Sequence, residues 1–222
     1  MKAFIIGVAL TIGVGAGDAA ASATPKKQAD LLDRAVAAWA KVKTVRGTFE
    51  QSIVNPLTGR TMTTTGEYQQ DRPAKLNVSF AGPSSDRIVA DGKFVWLFLP
   101  SSAPEQVIKA PLGAGGTGTL DLTAQFLVAP RSRYNVAQTG TATVSGRATH
   151  AFELVPKTAA GAPFKTATVW IDDVDASIRQ FEVTETTGVQ RRIRLTSFKS
   201  NAPVDAKAFV FTVPAGVRVV ER

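Results

Sequence analysis

Through most of this chain apolar residues recur at every second position, and that period admits little besides strands with one buried face. Phe49 and Ile53 alternate with Glu50 and Ser52, and Leu76, Val78 and Phe80 alternate with Lys75, Asn77 and Ser79. The pattern returns in Phe152/Leu154, Val169/Ile171, Phe181/Val183, Ile193/Leu195 and Phe209/Phe211/Val213. Turn signals separate these runs: Asn55-Pro56-Leu57-Thr58-Gly59, Gly82-Pro83, Asp91-Gly92, Asp172-Asp173, Thr187-Gly188 and Pro214-Ala215-Gly216. Short intervals of this kind join antiparallel neighbours, so the chain reads as mainly β (α+β), a meandering antiparallel sheet.

Two stretches depart from that period. Between Lys26 and Val42, Leu32, Val36 and Trp39 recur at steps of four and three, with Leu31, Ala35, Ala38 and Val42 widening the stripe into an amphipathic N-terminal helix. Pro111 to Gly118 is glycine-rich, and behind it Leu122 and Phe126 stand four apart beside Leu127, as on one face of a short helix. A loop of this kind leading into an apolar helix suits a movable cover. From Ile88 to Leu99 both faces are apolar, which predicts a central strand covered on its second side by a helix.

The first 23 residues have a separate role. Met1-Lys2, an apolar run of 15 residues from Ala3 to Gly17, and the small-residue patterns up to Ala23 make a secretory signal peptide, cleaved after Ala23. The run is shorter than the ~20 residues that span a bilayer. Residues 24–222 suffice for one domain, and they keep the whole formal charge of +8, because Lys2 and Asp18 cancel. The chain has no cysteine, which excludes disulfides and thiol chemistry and leaves no residue for lipidation at the new N-terminus, so a soluble exported protein is expected.

Sites for chemistry are hard to find. Gly113-Ala114-Gly115-Gly116-Thr117-Gly118 has the spelling of a dinucleotide loop, but Pro111 spoils the preceding strand and no acidic residue follows about 20 positions on. Asp173, Asp175 and Ser177 alternate like calcium ligands, yet Ile178 stands where glycine is needed and Thr184 where the bidentate glutamate belongs, so a polar hairpin turn is the better reading. His150 is the single histidine, and no G-x-S-x-G elbow presents a nucleophile. The expectation is a binding protein without catalytic residues, metal, other cofactor or nucleic-acid partner.

In order along the chain stand Phe49-Glu50-Gln51, Gly66 with Arg72-Pro73, Pro83, Ile88-Val89-Ala90-Asp91-Gly92 with Trp96 and Gln106, Leu154 with Pro156, Phe209-Val210-Phe211, and Pro214-Ala215-Gly216-Val217. This series resembles the periplasmic outer-membrane lipoprotein carrier proteins of the LolA type over nearly all of residues 24–222. The resemblance implies an unclosed antiparallel half-barrel with short lid helices over an apolar cavity. It also implies triacylated lipoproteins as cargo, an inner-membrane ABC transporter as donor, an outer-membrane receptor lipoprotein as acceptor, and a monomeric carrier. By position, Arg72 resembles the family's arginine that hydrogen-bonds the lid when the cavity is empty. The chain departs from the family at Thr186-Thr187-Gly188, where an aspartate often precedes the glycine, and in the richness of its lid in glycine.

Physics asks for such a carrier. A triacylated lipoprotein has about 45 methylenes, and at roughly 0.8 kcal/mol each their exposure to water would cost on the order of 35 kcal/mol. The expected acyl-chain cavity takes in Phe49, Leu76, Val78, Phe80, Trp96, Phe98, Leu122, Phe126, Phe181 and Val183, with Arg72 as lid latch. Two other readings use the same half-barrel, a carrier of a glycolipid or hopanoid and a sensor of envelope lipoproteins.

Overall fold

The computed structural model describes residues 24–83, 85–113 and 121–222, with side chains from residue 31 onward except that of Leu122. The signal segment, and residues 114–120 of the glycine-rich stretch, lie outside the described residues.

A helix, α1 (Thr24–Ala40), leads into β1 (Thr44–Val54), β2 (Thr61–Asp71), β3 (Lys75–Phe80), β4 (Arg87–Asp91), β5 (Phe94–Phe98) and β6 (Gln106–Pro111). Two short helices, α2 (Leu122–Leu127) and α3 (Pro130–Arg133), precede β7 (Tyr134–Val144), β8 (Arg147–Pro156), β9 (Thr166–Asp172), β10 (Ile178–Thr184) and β11 (Gln190–Ser200); β12 (Arg218–Glu221) ends the chain. The strands form one sheet in the order β12-β6-β5-β4-β3-β2-β1-β11-β10-β9-β8-β7. It is two meanders, β1 to β6 and β7 to β11, joined where β1 pairs antiparallel with β11. β12 adds parallel to β6, while β7 and β12 stay at opposite ends, so the sheet does not close.

Period two fixes which side chains share the concave face. Across the register Phe181, Ile193 and Gln51 stand in one row. The rows Phe49, Gly66, Phe80 and Gly47, Tyr68, Val78, Ile88, Leu97 continue across the first meander. Two glycines make this row pattern possible. A Cβ on Gly66 would stand 2.5 Å from the Ser79 carbonyl oxygen and 2.6 Å from the Phe49 ring, and one on Gly47 would collide with the Ser197 carbonyl and reach the Tyr68 ring. Bare backbone therefore lets Phe49 cross β2 to meet Phe80 edge to face, with 5.6 Å between ring centroids.

The concave side is filled unevenly. Leu31, Leu32, Ala35 and Trp39 of α1 pack with Phe126, Phe164, Val169, Ile171, Ile178 and Phe181 in the main core. Over β3 to β5 there is only a small cluster of Leu76, Ala90 and Val95. The convex side of that half is closed differently from the expected helix. After a 3-10 turn at Ala206–Phe209 the chain runs extended across it, burying Phe209 and stacking Phe211 on Trp96 at 5.3 Å. Arg87 donates to the Ala208 carbonyl at 3.2 Å, and Trp96 Nε1 donates to Asp91. Phe209/Phe211/Val213 is thus a strap rather than a strand, and the doubly apolar β5 stands third from the sheet's end rather than centrally.

Asp173, Asp175 and Ser177 form the turn between β9 and β10, where Ser177 donates to Asp175. Beneath it the buried Asp172 carboxylate accepts from Arg147, Arg179 and the Val174 N–H. Burial alone would raise its pKa, but these donors outweigh it and hold the carboxyl well below the usual range.

Candidate functional site

Where α1 and α2 face the thinly filled concave side, they enclose a hollow of about 510 Å³, within the range typical of small-molecule pockets. Its walls are Phe49, Leu76, Val78, Phe80, Ile88, Phe164, Phe181, Val183, Ile193, Leu195 and Phe198, with Trp39 and Val45 at the α1 end. Strand residues two apart supply most of the lining, so the alternation that buries one face of the sheet also builds the site. The hollow is concave and mainly aromatic and aliphatic.

Six of the ten expected cavity residues, Phe49, Leu76, Val78, Phe80, Phe181 and Val183, line this hollow. Phe126 stands behind it, fully buried, with its ring 5.3 Å from that of Phe181 and 5.9 Å from that of Phe164. Leu122 begins α2, but its side chain lies outside the described ones. Trp96 and Phe98 are corrected. They sit on the convex face against Phe211, because Trp96 pairs with Val89 whereas Val95 and Leu97 pair with the inward Ala90 and Ile88. A run apolar on both faces carries no phase of its own, and only the neighbouring strand decides which residues point inward.

Arg72 is the expected lid latch. Its Nη1 donates to the carbonyls of Trp39 at 2.8 Å and Val42 at 2.7 Å, and its guanidinium lies 4.4 Å over the Trp39 ring. Trp39 lies in the last turn of α1 and Val42 just beyond it, where backbone carbonyls are left for other donors and a cation is favoured. Among the described residues the hydrogen bonds of Arg72 go to the end of α1, while its charge stands near Asp121 at the start of α2. The lid is held by a pair without any sequence signal. Buried Gln70 donates from Nε2 to Asp121 Oδ2 at 2.7 Å, while Asp121 caps α2 by accepting from the Ala124 N–H at 3.0 Å. Burial pushes the Asp121 carboxyl up, against the pull of Gln70, Ala124 and the nearby Arg72 charge. Tyr68 lies beside it, and burial together with the Asp121 charge raises its hydroxyl strongly.

Polar groups mark the opposite end as well. Gln51, Glu185 and Arg191 line the hollow, where Arg191 donates to Gln51 and Glu185. The inward position of neither polar end was read from the sequence, because a polar side chain does not announce which face it takes.

An open antiparallel half-barrel with a covered apolar hollow is a binding fold for an apolar guest, and comparison with known proteins agrees. Residues 40–212 match the family described as outer membrane lipoprotein carrier protein LolA, and the chain belongs to that family. The outer-membrane lipoprotein carrier protein of Proteus mirabilis is 30% identical over 81% of this chain and 82% of its own length. That of Serratia proteamaculans is 28% identical over 98% and 97%. Among solved structures, an uncharacterised conserved protein from Thermus thermophilus has the same fold, with a TM-score of 0.55 at 14% identity over 88% of this chain and 99% of that one. MucB superposes with a TM-score of 0.51 at 16% identity, over 89% of this chain and 66% of that one.

Proposed function

We propose that this protein carries acylated lipoproteins through the periplasm, holding their acyl chains in the hollow between the concave face and α1 and α2. The observation that carries the reading is an apolar hollow with a lid in a member of this family. Phe49, Leu76, Val78, Phe80, Phe181 and Val183 are its proposed acyl contacts, with Phe126 supporting Phe181 from behind. A carrier must bury most of the ~35 kcal/mol of methylene surface yet still release it, which suits a loosely filled hollow better than a tightly matched pocket. Energy then comes from an ABC transporter that loads the carrier, and direction from an outer-membrane receptor whose own cavity is more favourable. No cofactor or bond-making step is required.

Purification from the periplasm followed by mass spectrometry of the bound material tests the cargo. Triacylated lipoproteins are expected, and a glycolipid or hopanoid in their place would sink the reading. Residues 1–23 are proposed to direct export and be removed. The intact mass of the exported protein should match Thr24 to Arg222 with no lipid attached, and a retained apolar segment or an acylated N-terminus would overturn this.

A further inference from the structure

An arginine inside an apolar hollow needs a reason, since an exposed cation there must be desolvated whenever acyl chains arrive. Arg191 follows the β10–β11 turn and faces inward beside Val183 and Ile53 in the register. Its Nη1 donates to Gln51 Oε1 at 3.2 Å, and its Nη2 and Nε donate to Glu185 Oε1 at 3.0 and 3.4 Å. Gln51 is itself buried and donates to Thr64 at 3.4 Å. A guanidinium has five N–H donors, so the three bonds leave two of them without an acceptor among the described residues.

We propose that Arg191, Gln51 and Glu185 form a carbonyl-binding rim that receives the ester and amide carbonyls where acyl chains join the lipid's polar head. Position and charge both point there. The cluster borders Phe49, Val183 and Ile193 at one end of the hollow, and Tyr68, Gln70 and Asp121 close the other. From Val45 to Gln51 the lining follows β1 over roughly 20 Å at about 3.3 Å per residue, room for an extended acyl chain with its head at Arg191. Glu185 neutralises the guanidinium, so the site offers N–H donors without net charge. Such a site prefers neutral carbonyls over a phosphate, whose charge Glu185 would repel. The inference rests on the carrier reading and extends it from the chains to the carbonyl junction that separates acyl lipids from bare hydrocarbon.

Ester carbonyls occur in lipoproteins and phospholipids alike, so three probes are needed: a synthetic tripalmitoyl-glyceryl-cysteine lipopeptide, its ether-linked analogue without ester carbonyls, and dipalmitoyl phosphatidylglycerol. Calorimetry should show the wild-type protein binding the ester lipopeptide about tenfold more tightly than the ether analogue. Arg191→Met, which keeps an apolar stem, should erase that preference while still binding the ether analogue. Glu185→Gln leaves a net positive rim and should selectively improve binding of the phosphatidylglycerol. Equal wild-type affinity for ester and ether forms would overturn the rim while leaving the carrier intact, as would wild-type preference for the phospholipid. An equal loss of both lipopeptides in Arg191→Met, with its thermal unfolding unchanged, would also overturn it. Failure of wild-type protein to bind any of the three would instead bring down the carrier reading.

Discussion

At Asp121 one carboxylate does two things at once, capping α2 through Oδ1 and accepting from Gln70 through Oδ2 in a buried polar pocket. Because its pKa is raised, the folded state holds the proton more strongly than the unfolded chain. Its stabilising share is complete below the ordinary carboxyl value and is lost as pH rises through the raised one. Asp121→Asn keeps an oxygen for the Ala124 N–H and removes the charge. Its melting temperature should exceed that of wild type at pH 7, with the gap shrinking toward pH 4; a gap constant with pH would refute the buried charge. The low pKa of Asp172 has the opposite sign but is common to both proteins and cancels in the difference. Arg72 makes a second residue-scale case. Arg72→Leu strips two charge-assisted bonds from the end of α1 and should cost about 2 kcal/mol in denaturant unfolding. Unchanged stability with slowed release of lipoprotein would instead support Arg72 as lid latch. Neither Gln70 nor Asp121 was legible in the sequence, since a polar residue aimed inward looks like any outward one. Phe49 and Val78 were legible because an apolar side chain at period two announces its face.

Elements were easier to read than faces. Alternation located β1, β3 and β8 to β11, because each buries its apolar face, and the switch to steps of three and four located α1. The two errors share a cause. In β5 both faces are apolar, and in the C-terminal segment Phe209, Phe211 and Val213 alternate without joining the sheet, so period alone could not say what lies against them. Their partner is each other: the strap buries Phe209 and places Phe211 on Trp96. Phe209→Ala should therefore cost about 3 kcal/mol in unfolding, as expected for a buried ring. Lipid affinity of the folded protein should stay at the wild-type level, because the strap and the hollow are on opposite faces of the sheet. Lost affinity at full folding would show that the strap shapes the hollow after all.

For the whole molecule, stability and capacity are separated across one sheet. The second meander with α1 and α2 holds the main core, whereas the first meander leaves its concave face thinly covered and available to a guest. A closed barrel with a uniformly packed interior would gain stability and lose that space. The division makes the thin side tolerant of changes that would unfold a packed core. Val78 is half-buried on that side, between Tyr68 and Ile88 in the register. Val78→Glu puts a carboxylate into the hollow, where water can hydrate it while no guest is bound, so melting temperature should fall only slightly. Loading would strip that water and set the charge against acyl chains, at a cost of several kcal/mol. The variant should thus fold and lose lipoprotein binding by at least a hundredfold, on the order of 3 kcal/mol. Circular dichroism melts paired with lipopeptide titration decide it. A folded Val78→Glu protein that binds at wild-type strength would place the acyl chains elsewhere on the molecule.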